Sequence, residues 1–195
     1  MDTFSDKVMK ALSSLNQCIH APDYGDEFYN MVETNQLQEQ KKDEKYRRSP
    51  EMILTHTAMG FGAEKALHHT GLFQPVSEVT KLRQGITYAN GKKDVYCEEF
   101  IAEVKTKSNR FEDWFISKSQ YNSIKECVKY NDFIIVVEYN QIDLLTYDYK
   151  PQYLVDIKSI LKYIDTSKET RHGSYTFQHR KAIANGDCIN LRSAA

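Results

Sequence analysis

The chain has no C-x-x-C and no close pair of cysteines; Cys18, Cys97, Cys127 and Cys188 are scattered along it. That spacing excludes a zinc ribbon and a thioredoxin-type redox site, and the simplest state for each cysteine is a reduced, partly buried thiol. No apolar run approaches the length of a membrane span and no apolar signal core opens the sequence. The expected setting is therefore intracellular and cytoplasmic, with no membrane partner. Neither sign of charge is in excess, the formal net charge being -1. Such a chain has no global attraction for nucleic acid, although a local basic lining is sufficient for phosphate contact. Phosphate-loop, dinucleotide-fingerprint and serine-nucleophile motifs are all missing. Tryptophan occurs once, at Trp114, against 13 tyrosines.

What is present is a chain of 195 residues, 41% apolar and 27% charged, long enough for one domain with a real core. Phe4, Val8, Ala11, Leu12 and Leu15 follow helical spacing. A turn over Ala21 to Asp26 leads to a second helical segment with Phe28, Met31 and Val32 on one side. Thr34 to Arg48 is almost entirely polar and reads as an exposed helix or, in preference, a loosely held linker. Ser49-Pro50-Glu51 is a good helix start, with a serine cap, proline at the first position and an acid near the positive end. This helix is expected to run to about His69, where Thr70-Gly71 stops it. Its inward stripe is expected to carry Ile53, His56, Met59, Gly60, Ala63 and Leu67, with Glu64 on the same side. An inward acid is costly unless something pairs with it.

Strand signals follow. Gly85 to Ala89 reads as a strand, Asn90-Gly91 as a hairpin turn, and the next strand begins at Lys93. On an uninterrupted strand Asp94 and Glu103 would face opposite sides. A turn or bulge near Cys97-Glu98-Glu99 breaks that parity and lets them converge. Phe100 to Thr106 is then a strand on which Glu103 and Lys105 share a face. After a loop over Asn109 to Asp113, a helix is predicted from Ser117 or Ser119 to Tyr130, with Gln120, Ile124, Cys127 and Val128 on its core side. Phe133 to Val137 suits a strand covered on both faces. Strands over Ile142 to Tyr149 and Tyr153 to Ile157, a helix over Ser159 to Ile164, and a short strand at Tyr175 to Phe177 complete the pattern. The expected fold class is α/β in the broad sense (α+β), a central mixed sheet flanked by helices in a single domain.

The chemistry-bearing residues each have two readings. Glu103 and Lys105 make either a metal-and-water site or a same-face salt bridge. Asp94 either joins them or closes the hairpin, and Gln120 either faces them or completes a capping box with Ser117. Glu64 is inward, or a surface acid if the helix is rotated. Asp156-Ile157-Lys158 repeats the acid-x-lysine pattern but leads straight into the last helix, so it is read as a decoy. His68 and His69 diverge by about 100° on a helix and cannot share one ion, even with His56 nearby. They are expected to be exposed near the helix C-terminus, where imidazolium is favoured.

Taken in chain order, these elements resemble the PD-(D/E)xK nuclease superfamily: an acid-bearing helix (Glu64), an Asp on a first strand (Asp94), Glu-x-Lys on a second (Glu103, Lys105), then a helix (Gln120) and an apolar strand. Lys93 stands where the family name has Pro. The resemblance covers roughly residues 49–164. It implies a restriction-endonuclease-like core, with a helical and polar N-terminal extension at 1–48 and a basic C-terminal extension at 165–195. It further implies a metal-dependent DNA endonuclease in which Asp94, Glu103, the Val104 carbonyl and Glu64 bind Mg2+ or Mn2+. Oxygen donors suit these hard cations. By the same resemblance Lys105 assists the attacking water and Gln120 hydrogen-bonds near it. An exonuclease or Holliday-junction resolvase of the same fold fits the motif equally. A non-catalytic DNA-binding or interaction module is the alternative from another class. A homodimer would bear on double-strand cleavage, since one such site cuts one strand at a time.

Phosphate contacts are expected from Lys92, Lys93, Lys107, Arg110 and Lys118, and from Arg180 and Lys181 in the tail. Tyr175, Phe177 and His179 interleave with the tail's bases. They either stack on nucleobases or pack onto the sheet.

Overall fold

The computed structural model describes residues 6, 9–10, 19–20, 24–75, 95–96, 101–108, 114–127, 132–170 and 173–191. In chain order its elements are β1 (Ile19–His20), α1 (Asp26–Gln40), a 3-10 turn (Glu44–Tyr46), α2 (Pro50–His69), β2 (Gln74–Pro75), β3 (Val95–Tyr96) and β4 (Ile101–Ser108). There follow β5 (Phe115–Ser117), α3 (Lys118–Cys127), β6 (Asp132–Gln141), β7 (Tyr147–Asp156), α4 (Ile157–Tyr163), β8 (Ile164–Asp165), β9 (Ser174–Phe177), α5 (His179–Ala184) and β10 (Cys188–Asn190).

Seven strands form a mixed sheet in the order β1-β7-β6-β4-β3-β2, with β10 also on β7. Among the described strands only β4 and β6 run parallel, and α3 belongs to the crossover that such a pairing requires. The expected mixed sheet flanked by helices is thus the observed architecture. Val136 pairs with Tyr153 but Val137 pairs with Pro151, so Gln152 is the extra residue of a bulge in β7.

The sheet separates two cores. Ala102, Val104, Ile135 and Val137 lie with Phe28, Phe61, Leu67 and Tyr149 under α1 and α2. Ile134 and Val136, from the alternate positions of β6, lie with Ile124, Ile157 and Ile160 under α3 and α4. The small sheet β5-β9-β8 contributes Ile116 and Phe177 to that second core, and Trp114, just before β5, joins them. Ile134 to Val137 are fully buried, as a β-branched run covered on both faces must be.

Helix α2 starts as its sequence dictates: the Ser49 hydroxyl accepts from the Met52 N–H and Pro50 occupies the first turn. It ends at Thr70, followed by Gly71 in the left-handed region at φ 77°. Its buried arc is wider than the expected stripe. Ile53, Ala63 and Leu67 are buried, but His56 is exposed and Met59 and Gly60 are half-buried. Thr57, Ala58, Phe61, Gly62 and Ala66 are buried instead. The reason is that α2 is covered twice. Asn35 of α1 donates to Thr57 Oγ1 at 3.0 Å, while Tyr149 of β7 donates to the Met59 carbonyl at 2.9 Å.

Three further expectations change. The polar segment Thr34 to Arg48 is not loosely held: α1 runs through it to Gln40, and Glu39 is only 3% exposed. Arg48 donates to Glu39 Oε2 through Nη2 at 2.7 Å and Nε at 2.9 Å, and Lys42 binds it at 3.0 Å. Residues 142–146 form a turn rather than strand, because Asp143 Oδ1 accepts from the Leu145 and Thr146 N–H groups. Strand β7 then continues unbroken to Asp156, and α4 begins at Ile157, two residues before the predicted start. The predicted strand at 85–89 and the Asn90-Gly91 hairpin lie outside the described residues, as do Cys97 to Glu99.

Candidate functional site

The face of β4 turned toward α3 carries a row of charge. Alternation puts Glu103, Lys105 and Lys107 on it, opposite Ile134, Val136 and Glu138 of β6. Lys105 Nζ donates to Glu103 Oε1 at 2.6 Å, and the two side chains are 17% and 15% exposed. This is the salt bridge the spacing permits, but it lies mostly out of solvent and has a third member. Gln120, in the first turn of α3, donates through Nε2 to the same Glu103 oxygen at 3.0 Å.

Gln120 reaches Glu103 from a fixed position. Its own N–H donates to Ser117 Oγ and its Oε1 accepts from the Ser117 N–H, both at 3.3 Å. The capping box is real, and it is also what aims the amide nitrogen at the strand. The two readings of Gln120 are therefore not alternatives. Among the described residues both hydrogen bonds to Glu103 reach Oε1, and the carboxylate's other oxygen is the one a cation could engage.

Farther along the same face, Lys107 is 7% exposed and its ammonium lies 3.5 Å from Glu138 Oε2. Gln152, placed by the β7 bulge, donates to Glu138 Oε2 at 2.5 Å. The expectation that Lys107 contacts phosphate is corrected: its charge is buried against β6. Local sequence does not point to Glu138 or Gln152. The available signal was an acid closing the apolar run Phe133 to Val137, which gains meaning only with the parallel register.

The remaining candidates divide as follows. Glu64 is half-buried on α2, the helix that packs over the opposite face of β4 beside Ala102 and Val104. The Val104 side chain is buried in that core, so its part in the site could come only from its carbonyl. Asp94, Lys92, Lys93 and Arg110 lie outside the described residues. Beside Asp94, Val95 pairs with Ala102 and Tyr96 with Ile101 in an antiparallel ladder, so the chain reverses direction between Tyr96 and Ile101. Lys118 is exposed and lies 3.5 Å from Glu169. Arg180 and Lys181 are exposed on α5. The aromatics interleaved with them are not available for stacking: Tyr175, Phe177 and His179 are all buried, and Phe177 lies 4.5 Å from Trp114.

Asp156 caps α4, its carboxylate accepting from the Lys158 N–H at 2.7 Å. His68 departs from expectation. It is half-buried, and burial first, then the Lys65 charge, push its imidazolium pKa down rather than up. His69 is exposed as expected. Among the described residues no three His, Cys, Asp or Glu side chains gather to hold a metal ion. Burial pushes the Cys188 thiol up to about 12, consistent with an inert structural cysteine. None of the described helices is long and apolar enough to cross a membrane.

No protein-family model matches the chain, and no curated protein shows significant similarity to it.

Proposed function

We propose that the chain is a Mg2+- or Mn2+-dependent DNA endonuclease with a PD-(D/E)xK, restriction-endonuclease-like core. The observation that carries this reading is the convergence of Glu103, Lys105 and Gln120, from two separate elements, on one carboxylate oxygen in a largely buried place. A lone same-strand salt bridge would need no amide brought by a helix.

The reading requires Asp94 to extend the β3–β4 ladder by one step. Were the register that pairs Val95 with Ala102 to continue by one step, Asp94 would oppose Glu103 on one face. Asp94, Glu103 and the Val104 carbonyl would then hold the cation, whereas Glu64, on the helix over the opposite face of β4, is separated from it by the sheet. A bound divalent ion supplies charge stabilisation of the phosphate and a more acidic water. The chain's own groups do the rest. Lys105 orients that water and offsets charge on the scissile phosphate, and Gln120 fixes the carboxylate.

Supercoiled and linear DNA incubated with the protein in Mg2+ provide the test, beside Lys105→Ala and an EDTA control. Cleavage by wild type, reduced at least about 100-fold in the variant, is expected. Intact substrates throughout would overturn the reading. Nicking, linearisation and degradation to short pieces separate an endonuclease from an exonuclease, and cleavage of a four-way junction marks a resolvase. Light scattering tests the homodimer that double-strand cleavage would favour.

A further inference from the structure

We infer that Phe115 is a stacking platform for one unpaired base of a single-stranded nucleic acid lying across the candidate site; the ligand class rests on the nuclease reading, the platform on the geometry of β5. This strand is short, and burial alternates along it and the residue before it: Trp114, just ahead of β5, and Ile116 are 2% and 0% exposed, while Phe115 between them is 48% exposed. A phenylalanine turned outward beside two buried neighbours is not covering a core. By alternation Phe115 shares its face with Ser117, about 7 Å along the strand. Ser117 is the residue that caps α3 and is bonded to Gln120, which in turn binds Glu103. Three links thus join the ring to the proposed chemistry: Phe115 to Ser117 along the strand, Ser117 to Gln120, and Gln120 to Glu103.

The surroundings suit a nucleotide. Across the ladder Phe115 pairs with Thr176 and Ser117 with Ser174, and Thr176 pairs in turn with Asp165, so the face around the ring carries two hydroxyl groups and one carboxylate. Lys118, the next residue, offers an exposed ammonium within reach of a backbone phosphate, shared at 3.5 Å with Glu169. The other exposed aromatics among the described residues, Tyr29 and Tyr46, are on α1 and the turn after it, away from this face. A ring presented flat at a surface can meet the face of a base only where that base is unstacked. Single strands, frayed ends and flaps therefore gain from Phe115 and an intact duplex does not.

Binding is measured in the Lys105→Ala background, so that turnover does not interfere, using fluorescein-labelled single strands of about 12 nucleotides and the matching duplex. A 2-aminopurine in the single strand reports stacking by quenching. Phe115→Ala is expected to weaken single-strand binding roughly ten-fold, leave duplex binding within about two-fold, and abolish the quench. Phe115→Trp should retain all three properties, and Tyr29→Ala should change none. Equal loss on single strands and duplex, or unchanged single-strand binding, would overturn the inference. If wild type cleaves DNA and Phe115→Ala keeps the same ratio of single-strand to duplex cleavage, this inference fails and the nuclease reading stands. A Phe115-dependent quench in a protein that cleaves nothing in Mg2+ leaves the platform and removes the nuclease.

Discussion

Gln120 is held at both ends of its amide, by Ser117 through the oxygen and Glu103 through the nitrogen. This predicts an asymmetry between two substitutions of similar stability cost. Ser117→Ala removes half the capping box and should cost about 1 kcal/mol while leaving the Glu103 bond in place. Gln120→Ala removes the cap and that bond together, and should lower cleavage well beyond Ser117→Ala. Urea midpoints and cleavage rates measured side by side check this. Lys107 poses the converse case, a charge that looks available in the sequence and is buried in the fold. Glu138→Leu removes the carboxylate beside its ammonium and should cost about 1–3 kcal/mol, whereas Lys107→Met with Glu138→Leu should recover part of the loss. Chemical denaturation of the two variants decides it. The local pattern made Glu103, Lys105 and Gln120 legible because the first two share one face of a single strand and the third sits in the first turn of a helix. Glu138 and Gln152 were not legible, since a parallel register and a bulge depend on a partner far off in sequence.

At the level of elements, the join between α1 and the segment leading to α2 depends on one acid. Hydrogen bonds from the Arg48 side chain, then from its backbone and from Lys42, outweigh burial and hold the Glu39 carboxyl down at about 2, against an ordinary 4.5. The unfolded chain takes up this proton first as pH falls, so the stabilisation is whole above pH 4.5 and fades as pH drops toward about 2. The melting-temperature gap between wild type and Glu39→Gln should be constant above that window and close within it. A second contact fixes how near α2 lies to the sheet. A methyl at Gly62 would overlap the Tyr149 hydroxyl, which itself donates to Met59. Gly62→Ala should cost about 1–3 kcal/mol, and adding Tyr149→Phe should return part of it by removing the obstructing oxygen. Thermal melts of the single and double variants measure the coupling. Here the sequence misled in an instructive way. A run such as Gln36 to Lys42 looks solvated because its single buried acid is indistinguishable from its exposed neighbours until Arg48 is folded back onto it.

For the whole molecule, the layers follow from pattern: a β-branched run covered twice, a capped helix ending at Thr70-Gly71, and a mixed sheet between them. What the pattern could not supply was which strands meet, and β7 shows the consequence. Its outer edge is covered by two short strands from distant parts of the chain, β1 at Tyr147 and Asp148 and β10 at Tyr153 to Val155. The remaining stretch, 149–152, holds Pro151 and the bulge, both poor templates for another strand. These pieces act together as guards against edge-to-edge assembly. Deleting residues 186–195 would leave Leu154 and Val155 on an open ladder, and the truncated protein should scatter light on warming at temperatures where the full chain stays clear.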